Sequence, residues 1–522
     1  MEVPLTPLEF MRRARRLYRD REAVVDGVHR WTYGQFFERC DRWSVALQRM
    51  GVRQGDRVAY IAPNTHAQLE SFYAVPQIGA VLVPLNFRLV DEEFVYLLNH
   101  CGAKVLCVAE PHVDVIDAIR QQVPTVERFV ALEGGRHGWE DYETLLEGSA
   151  PEVERSVVNE RDLLTINYTS GTTSRPKGVM ITHRNAWVNC VGTLVHYPAS
   201  CADRYLWTLP MFHANGWGFV WTITAAGGTH VCLRRPDPVQ VLETASRERI
   251  TMLCAAPTVL IGLAHAPHEA RQLAPRGIRV LTAGAPPAAA TIELVEDGLG
   301  WTVTQVYGLT ETAPFITVCE PRPEHAANTT DRATIKARQG VELVTSGELM
   351  VIDDGGREVP WDGQTLGEIV VRGNVVMAGY YEDPAATASA LKGGWFHSGD
   401  AAVVHPDGYA EIRDRLKDVI ISGGENISSV EVEAMLLRHP AVLEAAVVGL
   451  PDARWGEAPH AFIVLQPDKS VSGEELRQFS RARLAHFKTP HSFTFIDALP
   501  KTATGKIQKY VLRAGRAAIS QQ

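Results

Sequence analysis

Tyr168-Thr169-Ser170-Gly171-Thr172-Thr173-Ser174-Arg175-Pro176-Lys177-Gly178 is the stretch on which the reading of this chain turns. Hydroxyls, glycines and a lysine are what a phosphate-cradling loop needs: backbone N–H groups free to converge, short side-chain donors and one cation. A Walker A loop would read G-x-x-x-x-G-K-[ST] and lead into a helix. Here Pro176 precedes the lysine, and both flanks, Leu163 to Tyr168 and Val179 to Thr182, carry strand patterns. The plain alternative is a flexible surface hairpin, and so dense a set of hydroxyls beside a lysine weighs against it.

Outward from this loop the chain alternates between helix and strand patterns. Trp31 to Arg49 predicts a helix, Asp56 to Ile61 a strand, Ala67 to Ile78 a helix, Ala80 to Pro84 a strand, Glu92 to Asn99 a helix and Lys104 to Ala109 a strand. A second such series runs from Tyr205 to about Tyr307. Repeated units of this kind predict layered α/β architecture with mostly parallel sheets. Gly347 to Gly373 is instead short-stranded and punctuated by Gly and Asp, which predicts a β-rich subdomain. The charged run Arg413-Asp414-Arg415-Leu416-Lys417-Asp418 reads more like a hinge than a packed strand. The expected division is a large N-terminal domain over 1–414, a hinge over 415–418, and a small mobile C-terminal α/β domain over 419–522.

With 522 residues the chain can bury several cores and at least one deep cleft. Its 52 Lys and Arg against 61 Asp and Glu leave a net charge of −9, a poor balance for general nucleic-acid binding. No apolar run approaches the ~18 residues of a membrane span, so no integral membrane association is expected. The arginines at 12, 13, 15 and 16 come without an apolar block or cleavage site, which argues against a secretory signal and for a docked surface helix. Eight cysteines without a C-x-x-C pair predict buried reduced thiols in a cytoplasmic protein.

Three further motifs carry chemistry. Tyr307-Gly308-Leu309-Thr310-Glu311-Thr312 sets a carboxylate between two threonines, and one carboxylate suffices where Mg²⁺ is held mainly by water and nucleotide phosphates. Alone, Glu311 would be better read as a turn residue capping backbone N–H groups. Gly394-Trp395-Phe396-His397-Ser398-Gly399-Asp400 ends in an aspartate able to accept two ribose hydroxyls, with Arg415 as a partner, although a solvated turn aspartate is the plainer reading. Pro500-Lys501-Thr502-Ala503-Thr504-Gly505-Lys506 places a lysine on a glycine-containing turn, from which a long cation can reach a cleft.

Taken in this order, the motifs resemble those of the adenylate-forming superfamily of acyl- and aryl-CoA synthetases, luciferases and peptide-synthetase adenylation domains. The similarity runs from Leu5-Thr6-Pro7 to Lys506. The branch it most resembles handles medium- to long-chain fatty or aromatic acids, judged from Leu209 to Trp217, Lys336 to Gly340 and Gly423 to Ser429. The resemblance implies a ligase that joins a carboxylic acid to coenzyme A through an acyl-adenylate, releasing AMP and pyrophosphate. It assigns Thr169, Ser170, Gly171, Thr172, Thr173 and Lys177 to the phosphates and Glu311 to Mg²⁺. Gly284, Ala285, Pro286, Tyr307 and Gly308 would border the adenine, Thr310 would join the cofactor-binding set, and Asp400 and Arg415 would bind the ribose. Lys506 would bridge the acyl carboxylate and α-phosphate, Gly424 would border the pantetheine tunnel, and Lys417 would be the pivot. His213 would bound the carboxylate pocket and Trp217 would gate an acyl tunnel. For both, a core side chain is the plain alternative.

The implied co-substrates are ATP and coenzyme A, with Mg²⁺, and a homodimer is among the assemblies the resemblance permits. Two other readings stay open. One is an adenylating enzyme that passes the acid to a carrier-protein thiol or a nitrogen nucleophile. The other is a catalytically inactive nucleotide-binding protein, against which every motif position holds a competent side chain.

Overall fold

Apolar runs too short for helices become buried parallel strands. Arg57–Ile61, Val81–Leu85 and Ala103–Val108 lie side by side in parallel, and almost every residue in them is inaccessible. Continuous hydrophobic runs of this kind suit strands covered by helices on both faces. The computed structural model describes residues 2–169, 176–285, 287–320, 322, 329–423, 425–452, 454–502 and 506–519.

Two large sheets carry the N-terminal part. One has nine strands and a parallel centre running from Glu22–Asp26 to Thr302–Gly308, with antiparallel strands at both edges. The other has eight strands, parallel except where Lys177–Thr182 pairs antiparallel with Leu163–Thr169 and Gly379–Tyr380 antiparallel with Lys177–Thr182. The largest core cluster holds side chains of both sheets, including Tyr60, Leu82, Tyr205 and Leu281, together with Phe36, Phe72 and Phe219 from helices. A four-stranded antiparallel sheet of Glu348–Ile352, Gly367–Arg372, Phe396–Val404 and Ala410–Arg415 forms the expected β-rich part. The last unit packs Ile420–Ser422 through Ser492–Phe495 as a five-stranded sheet with three helices. Its two core clusters draw on no described residue before Ile420. The fold is the expected α/β class, a large N-terminal part with a small C-terminal one.

Three local readings change. The helix expected from Trp31 begins at Tyr33, because Trp31 and Thr32 close the strand His29–Thr32. Thr32 then caps the helix: its hydroxyl accepts from Gln35 N–H while the Gln35 side chain accepts from Thr32 N–H. Asp400 does not end a turn. It sits mid-way along Phe396–Val404, with Gly399 at φ +71° just before it. The charged entry is paired strand as far as Arg415, because Ala410–Arg415 forms a ladder with Phe396–Val404, and only from Leu416 does the chain leave the sheet. Among the described residues no helix is long and apolar enough to cross a membrane.

Candidate active site

Open α/β sheets bind ligands beyond the carboxyl ends of their strands, and the sequence-predicted residues collect there. Thr169 ends Leu163–Thr169 and pairs in register with Lys177. Gly284 follows Arg279–Thr282, with Ala285 after it, while Tyr307 and Gly308 end Thr302–Gly308. Ser170, Gly171, Thr172, Thr173, Pro286 and Gly424 lie outside the described residues. Gly308 has no room for a side chain, since a Cβ would sit 1.8 Å from Pro314 O. The following turn, Thr310–Thr312, presents Glu311 and is tied down where Met377 N–H donates to Glu311 O at 2.8 Å. Thr310 itself is buried.

Asp400 is buried and gathers two partners. Tyr307 Oη donates to its Oδ2 at 2.6 Å, and Arg415 Nε pairs with its Oδ1 at 2.8 Å. Ser398 O accepts from Arg415 Nη1 at 3.1 Å. Lys506 comes to this place from the C-terminal unit: a Cβ on Gly284 would lie 3.9 Å from Lys506 Cε. Burial pushes the Lys506 ammonium below the usual lysine range and Arg415 adds to this, while Asp400 and Glu311 oppose it. Burial, with Lys506 nearby, lowers His213 to about 3, so its imidazole is neutral at ordinary pH. Lys417 is exposed just past the last strand of the β-rich sheet.

The segment bearing His213 and Trp217 is held by buried amides that the sequence reading did not single out. Asn64 Nδ2 donates to Trp207 O and Leu209 O, and its Oδ1 accepts from Met211 N–H. Asn167 Nδ2 donates to Phe212 O at 3.3 Å and to Asn215 Oδ1 at 3.0 Å, and Asn215 Nδ2 donates to Thr165 Oγ1 at 3.0 Å. These bonds pin a left-handed turn in which Ala214, Asn215, Gly216, Trp217 and Gly218 all have φ between +44° and +76°. Left-handed backbone costs a non-glycine residue about 1–2 kcal/mol, so such a turn persists only where its surroundings fix it. Trp217 is buried edge-to-face against Phe315, ring centroids 5.8 Å apart.

A model of the AMP-binding enzyme family matches residues 10–381, and one of the AMP-binding enzyme C-terminal domain matches residues 431–506. The chain belongs to the AMP-binding enzyme family. It is 43% identical over 519 residues to 4-hydroxybutyrate–CoA ligase 2 of Metallosphaera sedula, covering 98% of this chain and 94% of that one. It is 38% identical over 536 residues to the peroxisomal trans-cinnamate:CoA ligase of Petunia hybrida, with the same coverage. Among solved structures it is similar to the anthranilate CoA ligase AuaEII in complex with anthranoyl-AMP, with a TM-score of 0.91 at 26% identity over the whole of both chains. The resemblance to adenylate-forming enzymes is thereby borne out.

Within this AMP-binding enzyme one further side chain enters the site without having been predicted. Tyr380 Oη donates to Glu311 Oε1 at 2.9 Å, and Lys177 Nζ lies 4.8 Å from the centre of the Tyr380 ring. It belongs to a two-residue strand, too short for periodicity to show.

Proposed function

We propose that this AMP-binding enzyme is an ATP-dependent acid–CoA ligase that activates a fatty or aromatic carboxylic acid. The observation that carries the reading is the convergence of Lys506, from the C-terminal unit, with Asp400, Arg415, Glu311, His213 and Gly284 of the N-terminal part. In the first half-reaction an oxygen of the substrate carboxylate bonds to the α-phosphorus of ATP as the bond to pyrophosphate breaks. No general base is needed, because the carboxylate is already the nucleophile. Two anions repel each other, so a fixed cation between them contributes most where charge develops in the transition state. Lys506 is that cation. Asp400 accepts the ribose hydroxyls, with Arg415 and Tyr307 holding its carboxylate in place, and neutral His213 bounds the carboxylate pocket without adding a competing charge. The phosphate loop, from Thr169 to Lys177, holds the leaving pyrophosphate.

The residues fit a divalent cation. Glu311 keeps one oxygen free of hydrogen bonds among the described residues, beside Lys177 and the end of the phosphate loop. A single carboxylate of this kind suits Mg²⁺, which is held largely by water and nucleotide phosphates. Bound there, the ion would supply charge neutralisation for the triphosphate.

In the second half-reaction the coenzyme A sulfur attacks the acyl carbonyl and AMP leaves. Support for a pivot at Lys417 is the strand that ends at Arg415 and the separate cores on either side. Rotation there withdraws Lys506 and brings up the segment around Gly424. The relatives' names include an aliphatic and an aromatic acid, so the test is a panel of both kinds with ATP, with and without coenzyme A. The expected result is pyrophosphate release on adding acid and ATP, with acyl-CoA and AMP accumulating only when coenzyme A is present. Pyrophosphate release with turnover to an amine, or none with any acid, would contradict the reading. Eight free cysteines, seven of them buried, support a reducing compartment such as the cytoplasm.

A further inference from the structure

Gly379–Tyr380 adds to the edge of the eight-stranded sheet, against Lys177–Thr182, while Glu311 follows the last parallel strand of the nine-stranded sheet. The two sheets therefore meet at the Tyr380 side chain. Its hydroxyl donates to Glu311 Oε1 at 2.9 Å, and its ring faces Lys177 Nζ at 4.8 Å. The backbone around it is pinned: Tyr380 N–H donates to Thr387 Oγ1 at 2.9 Å, Ala378 N–H to Met180 O and Tyr381 N–H to Gly178 O.

We infer that Tyr380 is a positioning residue that sets the Glu311 carboxylate and the Lys177 ammonium at a fixed separation, so that a metal ion on Glu311 and the lysine engage the same triphosphate. The inference rests on the reading of Glu311 and Lys177 given under Proposed function. A phenol on one carboxylate oxygen leaves the other for the ion and removes the rotation that would blur its aim. A cation over the face of the ring is held by the ring's electrostatics without a competing anion. Partners of this outer kind matter to metal affinity by about 10–100-fold when removed.

The test measures binding rather than turnover. Calorimetric titration of the full-length protein with ATP, with and without Mn²⁺, gives the factor by which the ion tightens nucleotide binding. Tyr380→Phe keeps the ring over Lys177 and deletes only the hydroxyl. That factor should fall about tenfold while ion-free ATP binding changes less than twofold. Tyr380→Leu should weaken ion-free binding as well, because Lys177 loses its platform. In a Glu311→Gln background, Tyr380→Phe should have no further effect on the ion's contribution. This double-mutant cycle keeps the test decisive even if one single variant loses stability. An ion effect in Tyr380→Phe equal to that of the wild type, or an equal loss in the Glu311→Gln background, would overturn the assignment of Tyr380 alone. A wild-type protein whose ATP binding ignores the ion would overturn the reading of Glu311, and that of Tyr380 with it.

Discussion

Asp400 shows what one buried carboxylate can organise. Tyr307 and Arg415 hold both its oxygens, and the three side chains come from two sheets. Asp400→Ala removes an anion from an arginine that is still partly exposed, so the fold keeps much of its stability and the nucleotide contact carries the loss. A hydrogen bond to a charged group contributes about 1.5–3 kcal/mol. The Michaelis constant for ATP should therefore rise on the order of tenfold to a hundredfold, and steady-state kinetics with ATP varied would show it. An unchanged constant and rate would remove Asp400 from the site. The residue was legible from its motif with Arg415. Its place within a strand was not, because glycines at 393, 394 and 399 read as turn punctuation, whereas the strand continues past an irregularity at 398–400: one neighbour pairs with His397 and again with Ala401, and the other pairs Arg415 with Asp400.

At the scale of an element, the left-handed turn over 214–218 is the least ordinary piece of the molecule. Gly216 has φ +55°, and a Cβ there would lie 2.4 Å from Cζ3 of Trp207, whose side chain is wholly buried. The indole cannot move aside, so Gly216→Ala forces the turn itself to shift. Overpacking of this kind costs about 1–3 kcal/mol, and thermal denaturation should show a melting temperature lower by several degrees. Because the turn carries His213 and Trp217, the tolerated acids should change as well. A variant with wild-type melting and an unaltered acid profile would mean that the turn does not set the pocket. Helices such as Tyr33–Arg49 and strands such as Ala103–Val108 were legible because burial stamps a period of 3.6 or an unbroken apolar run on the sequence. The left-handed turn leaves no such period. It depends on bonds from Asn64 and Asn167, far away in the chain, to backbone that is only locally placed once the sheets have met.

Over the whole molecule, a charge cluster around His66, buried at Asp26 and Glu70 and partly exposed at Glu143 and Arg234, joins a strand end to three helices. Its Nδ1 lies 2.7 Å from Asp26 Oδ2 and its Nε2 3.4 Å from Glu143 Oε1, while Arg39 bridges Glu70 and Glu143 and Arg234 faces Asp26. Burial alone would lower the His66 imidazole, but hydrogen bonds to Asp26 and Glu143 and the nearby Glu70 outweigh it and raise it to about 9. In the unfolded chain it titrates near ~6.5. The folded state thus holds the proton more tightly, and its stabilisation is fully present below about pH 6.5 and lost as pH rises through about 9. At most about 3 kcal/mol is at stake. Melting temperature measured from pH 6 to 9.5 should fall across that window, and His66→Gln should flatten the slope. An equal slope in both proteins would exclude the cluster. The sequence carried no sign of this cluster, whose members are spread from Asp26 to Arg234 and meet only in the fold. It did carry Lys506, as a lysine on a turn, but not the face of the N-terminal part that this lysine meets. That meeting is the centre of the proposal, in which Lys506 serves adenylation from one orientation of the small domain and thioester formation uses another. The direct measurement is Lys506→Ala in the two half-reactions taken separately. Pyrophosphate release from acid and ATP should slow by roughly 10²–10³-fold, while supplied acyl-adenylate and coenzyme A should still give acyl-CoA at near the wild-type rate. Undiminished pyrophosphate release, or equal damage to both half-reactions in a normally folded variant, would contradict it.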